Sequence, residues 1–376
     1  MDPTPPDAGP VRAKFAAARS ELAAALIERD EEIDLALTAL VAGEHLLLVS
    51  PPGCAKSLLL DSLLDRTGGS KFSILLTKFS VPEEVFGPVS LAGLKADRYI
   101  RITAGKLPEA DFAFLDEVFK ASSAILNTLL KILNERTFDA GDGVLRTVPL
   151  RLCVAASNEW PCPETGRELA AVFDRFLLRK AVIPIRSAAG RSRLLWTRDH
   201  VPKRTATIAP AEIDAARAAA RSIPWSMEAK EAFETVLKEL AKEGVRPGDR
   251  RQVKTVGAVR ASAWLAGDEV VMPEHLAVAV HALWDDPVEQ PAVAARIVAK
   301  VANPVGMRVN QLLLEVEEVI AGTEIRNLSE AAKAAAKLAE IDRQLAGLKG
   351  HGRIGPARAH LREQLRQLKL ASIESI

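Results

Sequence analysis

Between His45 and Pro184, five short apolar runs alternate with segments of helical periodicity, and each run ends at polar or turn-forming residues. The runs are HLLLVS (His45 to Ser50), KFSILL (Lys71 to Leu76), DFAFLDE (Asp111 to Glu117), VPLRLCVAASN (Val148 to Asn158) and RFLLRKAVIP (Arg175 to Pro184). Runs of this length read as buried strands, and patterns such as SAILNTLLKILNER between them read as helices. Strands that alternate with helices imply an α/β fold with a mostly parallel, doubly wound sheet. Ligands of such sheets bind at the carboxyl ends of the strands. The chemically suggestive residues of this chain all sit at such ends.

The first end is VSPPGCAKSLLL, Val49 to Leu60, which nearly matches the phosphate-loop pattern G-x-x-x-x-G-K-[ST]. Ser50 stands where the first glycine is usual, and Ala55 replaces the second. A phosphate loop works through successive backbone N–H groups and a helix N-terminus, supplemented by a cation and a hydroxyl. Lys56 supplies the cation and Ser57 a hydroxyl for Mg²⁺. Gly53 sits where a side chain would block close approach or forbid a positive φ. Cys54, Ala55 and Leu58 complete the nucleotide-binding set, Cys54 and Ala55 chiefly through their N–H groups. The alternative is an ordinary strand-loop-helix turn.

The second end carries Asp116 and Glu117, sixty residues past Lys56. A carboxylate on the metal side and a second that polarises water is the pairing that phosphoanhydride hydrolysis needs. Asp116 takes the metal role and Glu117 the water role. Taken alone, four apolar residues followed by Asp-Glu are a common strand end; behind a phosphate loop they become specific. The third end, VAASNEW, carries Asn158, which can orient water between Glu117 and the γ-phosphate. An asparagine there is otherwise a turn former.

After Pro184 the pattern turns helical, through AEIDAARAAARSI, MEAKEAFETVLKELAKEG, DRRQVKTVGAVRASAWLAG and PEHLAVAVHALW, each bounded by Gly or Pro. The expected organisation is a polar tip over 1–10, an α/β nucleotide-binding domain over 11–186, an all-helical lid over 187–290 and a helical C-terminal extension over 291–376. In that extension Leu338, Ile341, Leu345 and Leu348 form a stripe, GHGRIGP breaks it, and Leu361, Leu365 and Leu368 resume it. The pattern suits an antiparallel helical hairpin or one more packed helix pair.

With 50 Lys and Arg against 49 Asp and Glu, the net charge is +1, which gives no reason to expect nucleic acid as a partner. The segment from Arg326 onward is more basic, with ten Lys or Arg against five Asp or Glu, so a DNA-remodelling role stays as an alternative. The three cysteines, Cys54, Cys153 and Cys162, have no metal-ligand spacing and suit a reducing compartment. MDPTPPDAGP lacks the apolar core of a signal peptide, and no run is long enough to span a bilayer. A cytoplasmic location is the expectation.

The order and wording of these stretches resemble the AAA+ ATPases, specifically the MoxR group and its RavA-like subfamily. The resemblance rests on PPGCAKS, VPEEVFGPVSLAGLK, LPEADFAFLDEVFKASSAILNTLLKILNERTF, RLCVAASNEWP, FDRFLLR, GDRRQVKTVGAVRASAWLAGDEVVMPEHL and ALWDDP, and it covers about Ile33 to Pro287. It implies an AAA+ P-loop fold with a helical lid and a hexameric ring that hydrolyses ATP with Mg²⁺ at subunit boundaries. A neighbour's arginine finger then falls on Arg175, with Arg179 as substitute, and the lid's sensor arginine on Arg250, with Arg251 adjacent. The segment around FGPVSLAGLKADRYIRITAGKLPEA resembles a pore-facing hairpin, in which Tyr99 either touches substrate or packs. The implied role is chaperone-like remodelling of a client protein, together with a partner carrying a von Willebrand factor A domain. A nucleotide-gated scaffold with little turnover is the rival, favoured by Ser50. No Asn-Lys-x-Asp stretch is present to read guanine.

Overall fold

In a computed structural model of the chain, the five apolar runs become five strands, β1 (Leu46–Val49), β2 (Lys71–Leu75), β3 (Phe112–Asp116), β6 (Leu152–Ser157) and β7 (Leu178–Ala181). The structure describes residues 8–54, 56–161, 167–196, 206–302 and 328–347, with scattered positions between 312 and 366. All five strands are parallel, in the order β2-β3-β6-β1-β7. Leu46 of β1 pairs with Val154 on one side and Leu178 on the other. β1 and β6 are buried at every position, which is why they read as unbroken apolar runs, whereas the edge strand β2 is mostly exposed. The fold is the α/β arrangement expected from the alternation of runs and helices.

Each crossover helix returns the chain to the amino edge of the sheet. α3 (Lys56–Leu64) follows β1, and α6 (Ser123–Glu135) follows β3. α6 buries Ile125, Leu126, Leu129, Ile132 and Leu133, a single stripe at helical spacing, each side chain contributing roughly 1.5–3 kcal/mol. It ends at Arg136, whose left-handed φ of 55° aims its N–H at the Ile132 carbonyl. α7 (Arg167–Arg175) leads from β6 to β7. Between β2 and β3 lie the short helices α4 (Pro82–Phe86) and α5 (Leu91–Lys95), and between α6 and β6 the hairpin β4 (Thr137–Asp139) and β5 (Leu145–Thr147). Gly87 forms the neck of that first insertion: its φ is 99°, and a Cβ there would lie 1.9 Å from the Ile102 carbonyl oxygen, so only glycine fits. Tyr99 lies against Gly141 of the hairpin and accepts a hydrogen bond from Arg101, leaving half its surface exposed.

The remaining helices are α1 (Ala8–Ala25), α2 (Asp30–Ala42), α8 (Ala188–Trp196), α9 (Pro210–Ser222), α10 (Met227–Lys242) and α11 (Asp249–Ala266), with the 3-10 segment Pro273–His281. α1 begins at Ala8, inside the stretch expected as a polar tip; residues 1–7 lie outside the described residues. α9 and α11 pack against α2 and α1, where the Phe15 and Trp264 rings meet edge to face at 5.3 Å.

The chain separates into two compact units, residues 1–294 and 295–376, with α12 (Gln290–Ala302) at the division. In the second unit, α13 (Leu328–Gly347) places Leu338, Ile341 and Leu345 in one apolar cluster with Leu312, Val316, Ala357 and Leu361, and Leu365 packs on it. Leu348, Leu368 and most of the GHGRIGP segment lie outside the described residues. Among the described residues no helix is long and apolar enough to cross a membrane.

Candidate nucleotide site

The loop from β1 to α3 has Gly53 at φ 83° with open space where a Cβ would stand, as close approach of a phosphate requires. Ala55 lies outside the described residues. Ser50 is built into the sheet edge: its N–H donates to the Ser157 carbonyl at 3.1 Å and its hydroxyl to the Pro51 carbonyl at 2.9 Å. Cys54 is buried, while Ser57 and Leu58 are exposed at the start of α3. Lys56 is buried, and its ammonium group donates to the Ser50 carbonyl at 3.1 Å, the Ser157 carbonyl at 3.0 Å and Asn158 Oδ1 at 3.0 Å. All three of its N–H bonds therefore have protein acceptors.

The same asparagine reaches the second carboxylate. Asn158 Nδ2 donates to Glu117 Oε1, and Glu117 Oε2 lies 3.3 Å from the Lys120 ammonium. Glu117 is buried and sits at φ 54° at the head of the 3-10 turn Val118–Lys120, a left-handed conformation that non-glycine residues seldom adopt. Asp116 Oδ1 accepts from the Glu117 backbone N–H at 3.0 Å. Lys56, Asn158, Glu117 and Lys120 thus form one chain of contacts. Lys120 escaped the sequence reading; its i+3 spacing from Glu117 is the signal that could have found it.

Arg175 and Arg250 are not part of this chain of contacts. α6 runs back from the carboxyl end of β3, and its Leu133 carbonyl lies 3.3 Å from Nε2 of His45, the residue just before β1. Arg250 contacts Asn134, beside that Leu133, so it stands at the amino edge of the sheet. Arg175 closes α7 three residues before β7 begins, also on the amino side, and its guanidinium lies 3.0 Å from the Asp174 carboxylate. Lys56, Ser57, Asp116, Glu117 and Asn158 lie at the carboxyl edge.

The two alternative arginines are structural. Arg179 is buried and donates to the carbonyls of Phe176, Trp284 and Phe173 at 2.8 to 3.0 Å, with its guanidinium 3.7 Å from the Phe173 ring centroid. Burial pushes its pKa well down, and Arg251 adds to this against Asp285 and Asp174. A side chain so enclosed has no route to a neighbour's phosphate. Arg251 is likewise buried and donates to Leu177, Ala282 and Asp174. Burial alone would raise the Asp174 carboxyl, but Arg251, then Arg179 and Arg175, hold it below its ordinary value. Arg250, by contrast, is exposed.

Among the described residues no cluster of three or more His, Cys, Asp or Glu could hold a metal by itself. A hydroxyl at the head of α3 and one strand-end carboxylate suit Mg²⁺, which keeps waters and substrate phosphates as its other ligands.

A parallel sheet in the order β2-β3-β6-β1-β7, with a lysine loop after β1, paired carboxylates after β3 and an asparagine after β6, defines an AAA+ nucleotide-binding fold. The crystal structure of an ATPase candidate from Cytophaga hutchinsonii superposes with a TM-score of 0.63 at 16% identity, covering 78% of this chain and 96% of that one. Residues 13–217 match the model of the MoxR domain in the MoxR-vWA-beta-propeller ternary systems, and the chain belongs to that MoxR family. An uncharacterised protein of Methanocaldococcus jannaschii is 40% identical over 286 residues, 76% of this chain and 75% of its own length. Protein MoxR of Methylorubrum extorquens is 26% identical over 68% of this chain and 82% of its own. Chaperone MoxR1 of Mycobacterium tuberculosis is 26% identical over 41% of this chain and 40% of its own.

Proposed function

We propose that this MoxR protein hydrolyses ATP at the boundaries of a ring, hexameric in the form the family resemblance implies, to remodel or activate a protein partner. The observation that carries this reading is the split of the site. Lys56, Asn158 and Glu117 form a contact chain at the carboxyl edge, and the two exposed or part-exposed arginines, Arg175 and Arg250, stand at the amino edge of the same chain. One subunit therefore supplies half a site on each of two sides, and a neighbour completes it.

In this reading the N–H groups of the loop from Gly53 to Ser57 and the Lys56 ammonium bind the β- and γ-phosphates. Ser57 and Asp116 would hold Mg²⁺, which when bound supplies charge neutralisation on those phosphates. Glu117 takes a proton from the attacking water, and Asn158, already bridging Lys56 and Glu117, orients that water between them. Arg175 of the adjoining subunit stabilises charge on the transferring phosphoryl group, with Arg250 beside it in the sensor role.

The partner proposed is a protein with a von Willebrand factor A domain, supported by the description of the matched family, which also names a beta-propeller. The chaperone-like role is supported by the name of the mycobacterial relative. The RavA-like placement rests on the motif wording alone. A second reading, nucleotide-gated assembly with slow turnover, is favoured by one observation: the three N–H bonds of Lys56 are already taken by protein oxygens. The deciding test is steady-state ATP hydrolysis with Mg²⁺ by the purified protein and by Glu117→Gln. Turnover that Glu117→Gln removes supports the first reading; ATP binding without turnover in either supports the second.

A further inference from the structure

The first two turns of α11 are fastened to other elements by three cationic side chains. Arg250 donates to Asn134 Oδ1 on α6, Arg251 to the Asp174 carboxylate and the Leu177 carbonyl, and Lys254 lies 2.5 Å from the Glu44 carboxylate between α2 and β1. Arg251 and Lys254 are thereby matched with carboxylates. Arg250 is the exception, because its partner is a neutral amide.

Acids are close by, but they are engaged elsewhere. Asp174 and Asp285 line the same cavity of about 330 Å³ as Arg250, yet Asp174 is taken by Arg251 at 2.8 Å and Arg175 at 3.0 Å, and Asp285 by Arg251 at 3.1 Å. Glu44 is held by Lys254, and Glu135, the residue after Asn134, reaches Thr137. Among the described residues Arg250 makes no ion pair. Arg175 also keeps an excess of positive charge, since it shares the one Asp174 carboxylate with Arg251 and Arg179.

The local structure explains how Arg250 is held without a counter-charge. α6 ends at Glu135, so Asn134 lies in its last turn, where carbonyls without helical partners carry partial negative charge that favours a cation. The Asn134 amide oxygen adds direction, because it receives one of the five N–H bonds of a guanidinium and carries no full charge. α6 is itself fixed, through its buried stripe and through Arg136, whose guanidinium donates to the Gly43 carbonyl at 3.2 Å. Asn134 and Arg250 are both exposed, so their contact lies at the surface.

We propose that Asn134 is a positioning residue for Arg250, one whose neutrality matters: it fixes the direction of the guanidinium and leaves the positive charge uncompensated for a phosphate of the adjoining subunit. The inference rests on the reading of Arg250 as a residue offered across a boundary. A carboxylate in the same place would hold Arg250 more strongly and would compete with that phosphate for it.

The test is Mg-ATP hydrolysis by the assembled, full-length protein carrying Asn134→Ala or the isosteric Asn134→Asp. Asn134→Ala should lower turnover about tenfold, the factor that corresponds to one lost charge-assisted hydrogen bond. Asn134→Asp, which keeps the oxygen and strengthens the contact, should lower it at least as much. Neither should shift the melting temperature, and neither should lower turnover further in the Arg250→Ala background, because Asn134 acts only through Arg250. Mixed with Lys56→Ala subunits under conditions of exchange, Asn134→Asp subunits should regain part of their turnover, since some boundaries then pair an intact Arg250 with an intact phosphate loop. A merely structural contact gives a different order: Asn134→Asp as active as wild type, and Asn134→Ala impaired only as far as its melting temperature falls. That order, or losses that add to the loss in Arg250→Ala, overturns the inference while leaving Arg250 in its role. Full turnover in Arg250→Ala overturns the reading of Arg250 instead, so the two failures are told apart.

Discussion

Arg251 donates to Asp174 at 2.8 Å, which ties the first turn of α11 to the helix that ends in Arg175. Adjacent arginines therefore do different work: Arg251 is an internal brace and Arg250 the one left at the surface. Removing Arg251 strands the Leu177 and Ala282 carbonyls and leaves Asp174 with Arg175 and the more distant Arg179 as its cations. Arg251→Ala should destabilise the protein by on the order of 3 kcal/mol, read in urea unfolding. Arg250→Ala should stay within about 0.5 kcal/mol of wild type and lose ATPase activity instead. The reverse assignment of stability and activity would exchange their roles.

Ser50 contributes to the phosphate loop only through its backbone and a hydroxyl bond to Pro51. Ser50→Gly should leave Mg-ATP affinity nearly unchanged. Lys56→Ala should weaken it on the order of 100-fold, the loss expected when charge-assisted bonds to phosphate are removed. Calorimetric titration measures both, and unaltered affinity in Lys56→Ala would remove the phosphate-loop assignment.

On the proposed mechanism, Asp116 and Glu117 divide the labour. Glu117→Gln should bind ATP normally and hydrolyse it at least about 100-fold more slowly. Asp116→Asn should raise the Mg²⁺ concentration needed for half-maximal activity. Equal turnover in wild type and Glu117→Gln would place the base elsewhere.

Arg175→Ala subunits keep a phosphate loop but offer no arginine, and Lys56→Ala subunits the opposite. Each should be nearly inactive, with Arg175→Ala down by about 10³-fold. Mixed under conditions of subunit exchange, they should recover part of the activity at boundaries that carry both intact halves. Mixed rings seen by mass with no recovered activity would exclude Arg175 as the acting residue. Arg179 is no longer a substitute for it, because burial and three carbonyl acceptors fix it in place.

His45 is fully enclosed, with Nδ1 accepting from the Cys153 N–H at 3.0 Å and the Arg136 guanidinium beside Nε2. Burial first, then the positive charge of Arg136, holds its pKa well below the ordinary value. Below the unfolded pKa of about 6.5 the unfolded chain takes up a proton that the folded one refuses, so stability falls as pH falls. From this group the loss between about pH 6.5 and 5.5 is about 1 kcal/mol. Urea unfolding at both values should show it, and His45→Gln should flatten the difference.

The five strands and the crossover helices were legible because buried parallel strands are apolar throughout and end at turn residues, as in HLLLVS and DFAFLDE. Lys56, Glu117 and Asn158 could be picked out for the same reason: each is the polar residue that follows such a run. What sequence alone did not convey was long-range packing. Nothing in GDRR distinguishes a buried Arg251 from an exposed Arg250, since their difference lies in which carbonyls of Leu177 and Ala282 the fold brings near. The burial of Arg179 under Phe173 and Trp284 is likewise a tertiary contact with no local signature. Trp160 stood in plain view in VAASNEW, yet its partners Phe173 and Trp284 come from α7 and from beyond α11.

The three oxygens around Lys56 give its ammonium group a full set of acceptors within the protein. On the proposed function, a Lys56 that turned to a phosphate would exchange these neutral oxygens for an anionic one, and the Ser50 and Ser157 carbonyls and the Asn158 amide oxygen would be there to take it back. The strand ends that hold the loop are then also the place where the cation is kept.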